Sequence, residues 1–171
     1  MKKFGLLLCT MFAGILTMYG QGAKNIKINE VLTNNTANLQ DEFGNRRAWI
    51  ELANTSFSTY DVRGMYITTD RRVLNKGLSV PQRIKMMSCI PNGDNRTSMS
   101  AREHLLFFFN SNPSHGTLHL SAQISKDKPT WIALYDGNAV DIIDSVTVPP
   151  LAANQSYARI KDGADQWAVK T

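Results

Sequence analysis

The stretch Ala48–Asp70, AWIELANTSFSTYDVRGMYITTD, limits what this chain can fold into more than any other. In Trp49-Ile50-Glu51-Leu52 the side chains alternate, Ile50 and Leu52 pointing one way and Trp49 and Glu51 the other, the period of a half-buried strand. Asn54-Thr55-Ser56 follows, three side chains that hydrogen-bond their own backbone and turn the chain. Tyr60–Ile67 resumes β character and is interrupted at Gly64, which marks a bulge or corner. The segment predicts architecture rather than chemistry.

The rest of the chain repeats the pattern. Asn25–Thr33, NIKINEVLT, is predicted as a strand with Ile26, Ile28 and Leu32 on one face. Glu30 falls on that same face, where a carboxylate must be paired, hydrogen-bonded or near the strand's exit from the core. Leu105–Phe109, LLFFF, is apolar on both sides and must be covered on both, which places it in the centre of the sandwich. Thr117–Ile124 is another predicted strand. Asp136-Gly137-Asn138 lies between the runs Thr130–Asp136 and Val140–Val148, and Asp-Gly between alternating apolar runs is a strong hairpin signal. Short strands, turns and no long helical pattern after the first residues predict two stacked antiparallel sheets.

At 171 residues the chain suits one domain with a sizeable core, once its first stretch is set aside. Lys2 and Lys3 precede the apolar run Phe4–Tyr19, and the small residues Gly20, Gly22 and Ala23 follow. A basic head, an apolar middle and a small-residue exit make a secretory signal, and the run is short of the ~20 residues of a spanning helix. Residues 1–23 are therefore expected to be a signal helix and 24–171 the folded domain, exported to the periplasm, the outer surface or the extracellular space. Removing Lys2 and Lys3 from the 19 basic residues leaves 17 against 14 acidic ones, a mild net +3. Cys9 lies in the leader after Leu8, a poor lipidation context. Cys89 is then the one cysteine of the domain, which excludes an internal disulfide and is expected to be buried and structural.

Motifs for chemistry are sparse. No G-x-S-x-G elbow, G-x-x-x-x-G-K-[ST] loop, H-E-x-x-H helix or paired C-x-x-C is present. Asp41–Asn45 clusters oxygen donors around Gly44, but Arg46 and Arg47 end the carboxylate spacing, so a turn is expected rather than a calcium loop. His115 and His119 would share a helix face, yet Pro113 and Gly116 oppose a helix, and on a strand four residues span roughly 13 Å, too far for one ion. Asp141 and Asp144 are three apart, on opposite faces of a strand, and cannot flank one bond. Cys89 with His104 is the one nucleophile–base pair to nominate. No catalytic, metal or cofactor-binding residue is assigned.

Charge is asymmetric. From Arg63 to Lys85 six basic residues (Arg63, Arg71, Arg72, Lys76, Arg83, Lys85) face one acid, Asp70, whereas Lys126–Thr171 carries five basic residues and six acids. The basic run is either a solvated face or a surface for an anionic partner such as a glycan, an acidic protein or a lipid headgroup. Nucleic acid is not expected, because the domain is read as exported and no aromatic residues interleave with the basic ones.

Several of these segments also resemble a known family. I-N-E-V at Ile28–Val31, W-I-E-L-x-N at Trp49–Asn54 with a following D-x-x-G-x-Y step, D-x-V at Asp144–Val146, and S-Y-A-R-I-K-D-G at Ser156–Gly163 before Trp167 occur in the order found in bacterial lamin-tail domains. Ala158 and Lys161 depart from that family's glycine and proline. The resemblance implies an all-β fold, an immunoglobulin-like antiparallel β-sandwich preceded here by the signal helix, and a non-catalytic module that binds an envelope protein, a glycan or a membrane complex. An alternative is the extracytoplasmic part of a sodium-pumping decarboxylase gamma subunit, whose similar segments are followed by a transmembrane helix, so membrane association is also an expectation. Asp144-Ser145-Val146 further resembles an O-glycosylation pattern of some envelope bacteria, although Ser145 is predicted to lie in a strand.

Overall fold

A computed structural model of the chain describes residues 22–111 and 115–171, and the signal assigned to residues 1–23 lies almost wholly outside them. Two sheets supply the fold. The six-stranded sheet contains β1 (Ile26–Leu32), β2 (Trp49–Asn54), β7 (His104–Phe109), β8 (His119–Leu120), β11 (Ser156–Arg159) and β12 (Trp167–Lys170), in the order β12-β11-β1-β2-β7-β8. The four-stranded sheet contains β4 (Tyr66–Thr68), β5 (Ser88–Cys89), β9 (Thr130–Tyr135) and β10 (Ile142–Val148), ordered β10-β9-β4-β5. A two-stranded ladder joins β3 (Tyr60–Asp61) to β6 (Ser98–Met99). All pairings are antiparallel except β7 with β8.

The sheets bury their apolar faces against each other. Ile28, Ile50, Leu52 and Phe107 of the larger sheet share one core with Ile67, Ile132, Leu134, Val146 and Val148 of the smaller one. Ile50 and Leu52 face this core while Trp49 packs on the opposite side with Leu32 and Phe108, as the alternation in β2 requires. β7 is an interior strand of its sheet, Phe107 and Phe109 facing the core and Phe108 the other side. The β9–β10 hairpin forms, although its connection runs from Asp136 to Asp141 and the left-handed position is taken by Ala139 (φ 57°) rather than Gly137. Gly64 (φ 78°) makes the corner after Asp61, where its N–H donates to the Ile90 carbonyl at 2.8 Å.

β1 differs from its predicted pattern. Ile28 pairs with Leu52 but Glu30 pairs with Glu51, so Asn29 is the extra residue of a β-bulge. The bulge inverts the alternation: Val31, not Leu32, joins the main core, and Leu32 moves to the other face. Glu30 is thereby half-buried on the outer side, accepting from the Ser156 hydroxyl at 2.5 Å, and the carboxylate that a regular strand would have aimed inward is accommodated. The predicted strand Thr117–Ile124 shrinks to His119–Leu120. Beyond Leu120 the chain is held by side chains, the Ser121 N–H donating to Ser88 Oγ (2.9 Å), instead of by a ladder.

The basic run Arg71–Lys85 is a cover. It contains a 3₁₀ turn (Arg71–Leu74) and a short helix, α1 (Val80–Ile84), at whose entry Gln82 Oε1 accepts from the Ser79 N–H (2.8 Å) and hydroxyl (2.9 Å). Val73, Met86 and Met87 pack onto Trp131, Ala133 and Tyr135, the outer face of β9, so this central strand is buried on both sides.

The sheets are also joined by a polar clamp. β10 carries its own bulge, Ile142 pairing with Tyr135 and Asp144 with Leu134. Asp144 shares the inward parity of Val146 and Val148, and its Oδ2 accepts from the Ile28 N–H at 2.8 Å and from Arg159 at 2.7 Å. Arg159 Nε donates to the Ile28 carbonyl at 2.8 Å, a second guanidinium nitrogen donates to the Ala164 carbonyl, and the cation sits 4.6 Å over Trp167. The β1 bulge frees the backbone groups of Ile28, and Asp144 and Arg159 replace the missing ladder partners. Asp141, by contrast, lies in the hairpin connection bonded to Asn138, so the two aspartates are separated by more than strand parity.

Candidate functional site

Three grooves flank the irregular segment Ser121–Ser125 and share lining residues with one another. The first, about 410 Å³, runs between Ala122–Ile124 and the sheet residues Thr33, Ala48 and Phe109, with Lys126 at its side. The second, also about 410 Å³, lies between Thr69, Arg71, Lys128 and Trp131. The third, about 160 Å³, is bordered by Thr69, Lys85 and Ser121. Thr69 Oγ1 donates to the Gln123 carbonyl at 2.8 Å, and Ser125 N–H to Thr130 Oγ1 at 3.2 Å, so hydroxyls of the β4 exit and the β9 entry fix this segment.

The grooves are positively charged. Arg71, Lys85, Lys126 and Lys128 line them, no carboxylate among the described residues does, and Asp127 lies between the two lysines without entering the lining. Among the described residues none of these four cations is in an ion pair with a carboxylate. Arg71 stacks over Trp131, 5.5 Å from the ring centroid, which leaves its guanidinium edge toward solvent. Hydroxyl, carboxamide and cation around an aromatic floor form a surface suited to a polar anion.

The six basic residues singled out in the sequence separate into different roles. Arg71, Arg72, Lys76, Arg83 and Lys85 share the cover over β9. Arg63 lies apart, at the corner near Tyr60, in a groove of about 490 Å³ with Ser56 and Ser58, and is paired with Asp61 at 3.1 Å. Arg72 grips Asp70 and, by that hydrogen bond, holds its carboxyl below the usual carboxylate range. Arg83 donates to the carbonyls of Val73, Leu78 and Asn75 and so fastens the cover itself. Arg71 and Lys85 reach the grooves, where Lys126 and Lys128, unremarked in a segment of balanced charge, join them.

Other candidates move as well. Cys89 is exposed, not buried, because the β5 alternation turns Ser88 and Ile90 inward. Crowding around its thiol pushes its pKa up, which suppresses the reactive thiolate, and no hydrogen bond joins it to His104, whose partner is Asp162 at 3.2 Å. Asp41 anchors the predicted turn, accepting from the N–H groups of Phe43 and Asn45 and from Arg47 at 2.8 Å. Burial works to raise its pKa, but the Asn45, Arg47 and Phe43 hydrogen bonds outweigh it and hold the carboxyl low. The strand spacing applied to His115 and His119 fails: the chain turns between them and their rings lie 5.5 Å apart. Among the described residues no three His, Cys, Asp or Glu side chains are grouped to hold a metal ion, and no helix is long and apolar enough to cross a membrane.

No protein-family model matches the chain, and no curated protein sequence matches it significantly.

Proposed function

We propose that the chain is an exported, non-catalytic β-sandwich of the immunoglobulin-like, lamin-tail type that acts as a binding module in the cell envelope, and that it takes an anionic partner along the grooves beside Ser121–Ser125. One observation carries this reading: four exposed cations from three separate segments line shared grooves, and among the described residues no carboxylate lines those grooves or pairs with the four. Cations that serve only solubility scatter, whereas convergence on a lined depression favours a ligand. The lamin-tail type is supported by where its motifs fall. Ile28–Val31 supplies the β1 bulge and Ser156 the partner of Glu30 within the larger sheet, while Asp144 and Arg159 form the clamp to the smaller one, so several residues that carry the resemblance hold irregular points of the fold.

The test is binding of the protein to a sulfated polysaccharide matrix and to vesicles containing phosphatidylglycerol, in a salt series. A variant with Arg71, Lys85, Lys126 and Lys128 changed to Ser is expected to lose salt-sensitive retention that the parent shows on one of the two. Equal retention of parent and variant, or no retention of the parent on either at low salt, overturns the reading.

A further inference from the structure

The cover over β9 carries apolar side chains that take no part in covering it. Val73, Met86 and Met87 meet β9, but Leu74, Val80 and Ile84 lie outside that contact and are 42%, 40% and 37% exposed. Helix α1 buries none of its residues. It is fastened by polar bonds instead, through Arg83 to the carbonyls of Val73, Asn75 and Leu78. Val73 and Asn75 flank Leu74, so the same guanidinium ties the turn bearing Leu74 to the helix. Val80 and Ile84, four residues apart, share one side of that helix. Single exposed apolar residues are ordinary on a protein surface, whereas three in one short, pinned segment mark a surface that a partner covers.

The same segment is cationic. From Arg71 to Lys85 the chain has five basic residues and no acid. Arg71, Arg72, Lys76 and Lys85 are exposed, and of these four Arg72 alone has a carboxylate partner among the described residues, Asp70.

We infer that the outer face of this cover docks on an anionic lipid membrane, with Leu74, Val80 and Ile84 entering the bilayer interface and Arg71, Lys76 and Lys85 meeting lipid phosphates. The inference rests on the anionic reading of the grooves, to which Arg71 and Lys85 also belong, and names the source of the anion. A sulfated polysaccharide would satisfy the cations but leave the apolar side chains in water, whereas a bilayer interface takes both. A second copy of the chain, packed face to face across a twofold axis, would set these cations against themselves.

The experiment is co-sedimentation with vesicles of phosphatidylcholine, with and without phosphatidylglycerol, beside retention on a sulfated polysaccharide matrix. The protein is expected to bind the phosphatidylglycerol vesicles and not phosphatidylcholine alone. Leu74→Ser, Val80→Ser and Ile84→Ser combined should weaken vesicle binding roughly tenfold or more, with the melting temperature and any retention on the polysaccharide unchanged. Ile84→Trp should tighten vesicle binding and add an emission component that shifts to the blue on vesicles. Retention on the polysaccharide alone, or an unweakened combined variant on vesicles that the four-cation variant no longer binds, would overturn the membrane assignment and leave the anionic reading standing. No retention of the parent on either surface would overturn both. A dimer of the parent that the combined variant dissolves would also overturn the assignment, because the face would then be a contact between copies.

Discussion

The Arg159 clamp and the grooves beside Ser121–Ser125 are made of the same kinds of residue and use them in opposite ways. In the clamp every charge meets a partner inside the protein: Arg159 is 5% exposed and Asp144 12%, and between them they hold the two backbone groups that the β1 bulge releases. In the grooves Arg71, Lys85, Lys126 and Lys128 are exposed and none has a carboxylate among the described residues. A buried cation whose hydrogen bonds are satisfied shapes the fold, because removing it strands its partners in a low-dielectric interior. An exposed cation in a lined depression contributes little to the fold, because water solvates it equally well before and after folding. The contrast therefore separates the architectural charges of this domain from those available to a partner.

The largest effect expected lies in the clamp. Arg159→Ala leaves Asp144 half-buried without its cation and the Ile28 and Ala164 carbonyls without their donor, and should cost about 3–5 kcal/mol in urea denaturation. Arg159→Lys keeps the charge but cannot reach three acceptors at once, and should fall between. Retention on the anionic matrix should not change in either variant while it remains folded. A loss below ~1 kcal/mol in Arg159→Ala would mean that apolar contact alone joins the sheets and that the clamp is dispensable.

An intermediate effect is expected at Asp41, where a charge near the chain's surface is nonetheless satisfied from within. Its folded pKa is depressed, so its contribution to stability is full above the ordinary carboxyl value and is lost as pH falls through the lower folded one. Asp41→Asn should therefore cost about 1–3 kcal/mol at neutral pH and flatten the decline in stability below pH ~4. Parent and variant that decline in parallel on acidification would place the acid sensitivity elsewhere.

The two regions were not equally legible from the residues. The opposed faces of Trp49–Leu52 and the β9–β10 hairpin follow from local alternation and turn chemistry, and both appear. Glu30 on an apparent core face was expected only to be paired, hydrogen-bonded or near the strand's exit, and counting by twos put Leu32 on the face of Ile26 and Ile28, because the period holds only until a bulge. The clamp joins residues 28, 144 and 159, and no local pattern relates them. The grooves were half-legible for the same reason. Arg71 and Lys85 stood out in a basic run, but Lys126 and Lys128 lie in a stretch where charges balance along the chain and become one-sided only when β9 brings them beside Thr69. Trp131, the aromatic neighbour that the basic run lacked in sequence, also arrives from β9. His115 and His119 were separated by a strand's rise that a turn removes.

The smallest stability effect is expected where the largest binding effect is expected, in the four-residue groove variant. Among the described residues Lys85, Lys126 and Lys128 offer the fold no ion pair, and Arg71 offers one exposed contact with Trp131, worth roughly 0.5–1 kcal/mol. Arg71, Lys85, Lys126 and Lys128 changed together to Ser should thus lower stability by no more than about 1 kcal/mol. Less mutual repulsion among the four offsets part of even that loss, so a slight gain at low salt is compatible with the same picture. The informative comparison is with Arg159→Ala measured side by side. Should the groove variant lose as much stability as the clamp variant, its cations are structural after all, the grooves are no recognition surface, and any fall in binding merely reports unfolding.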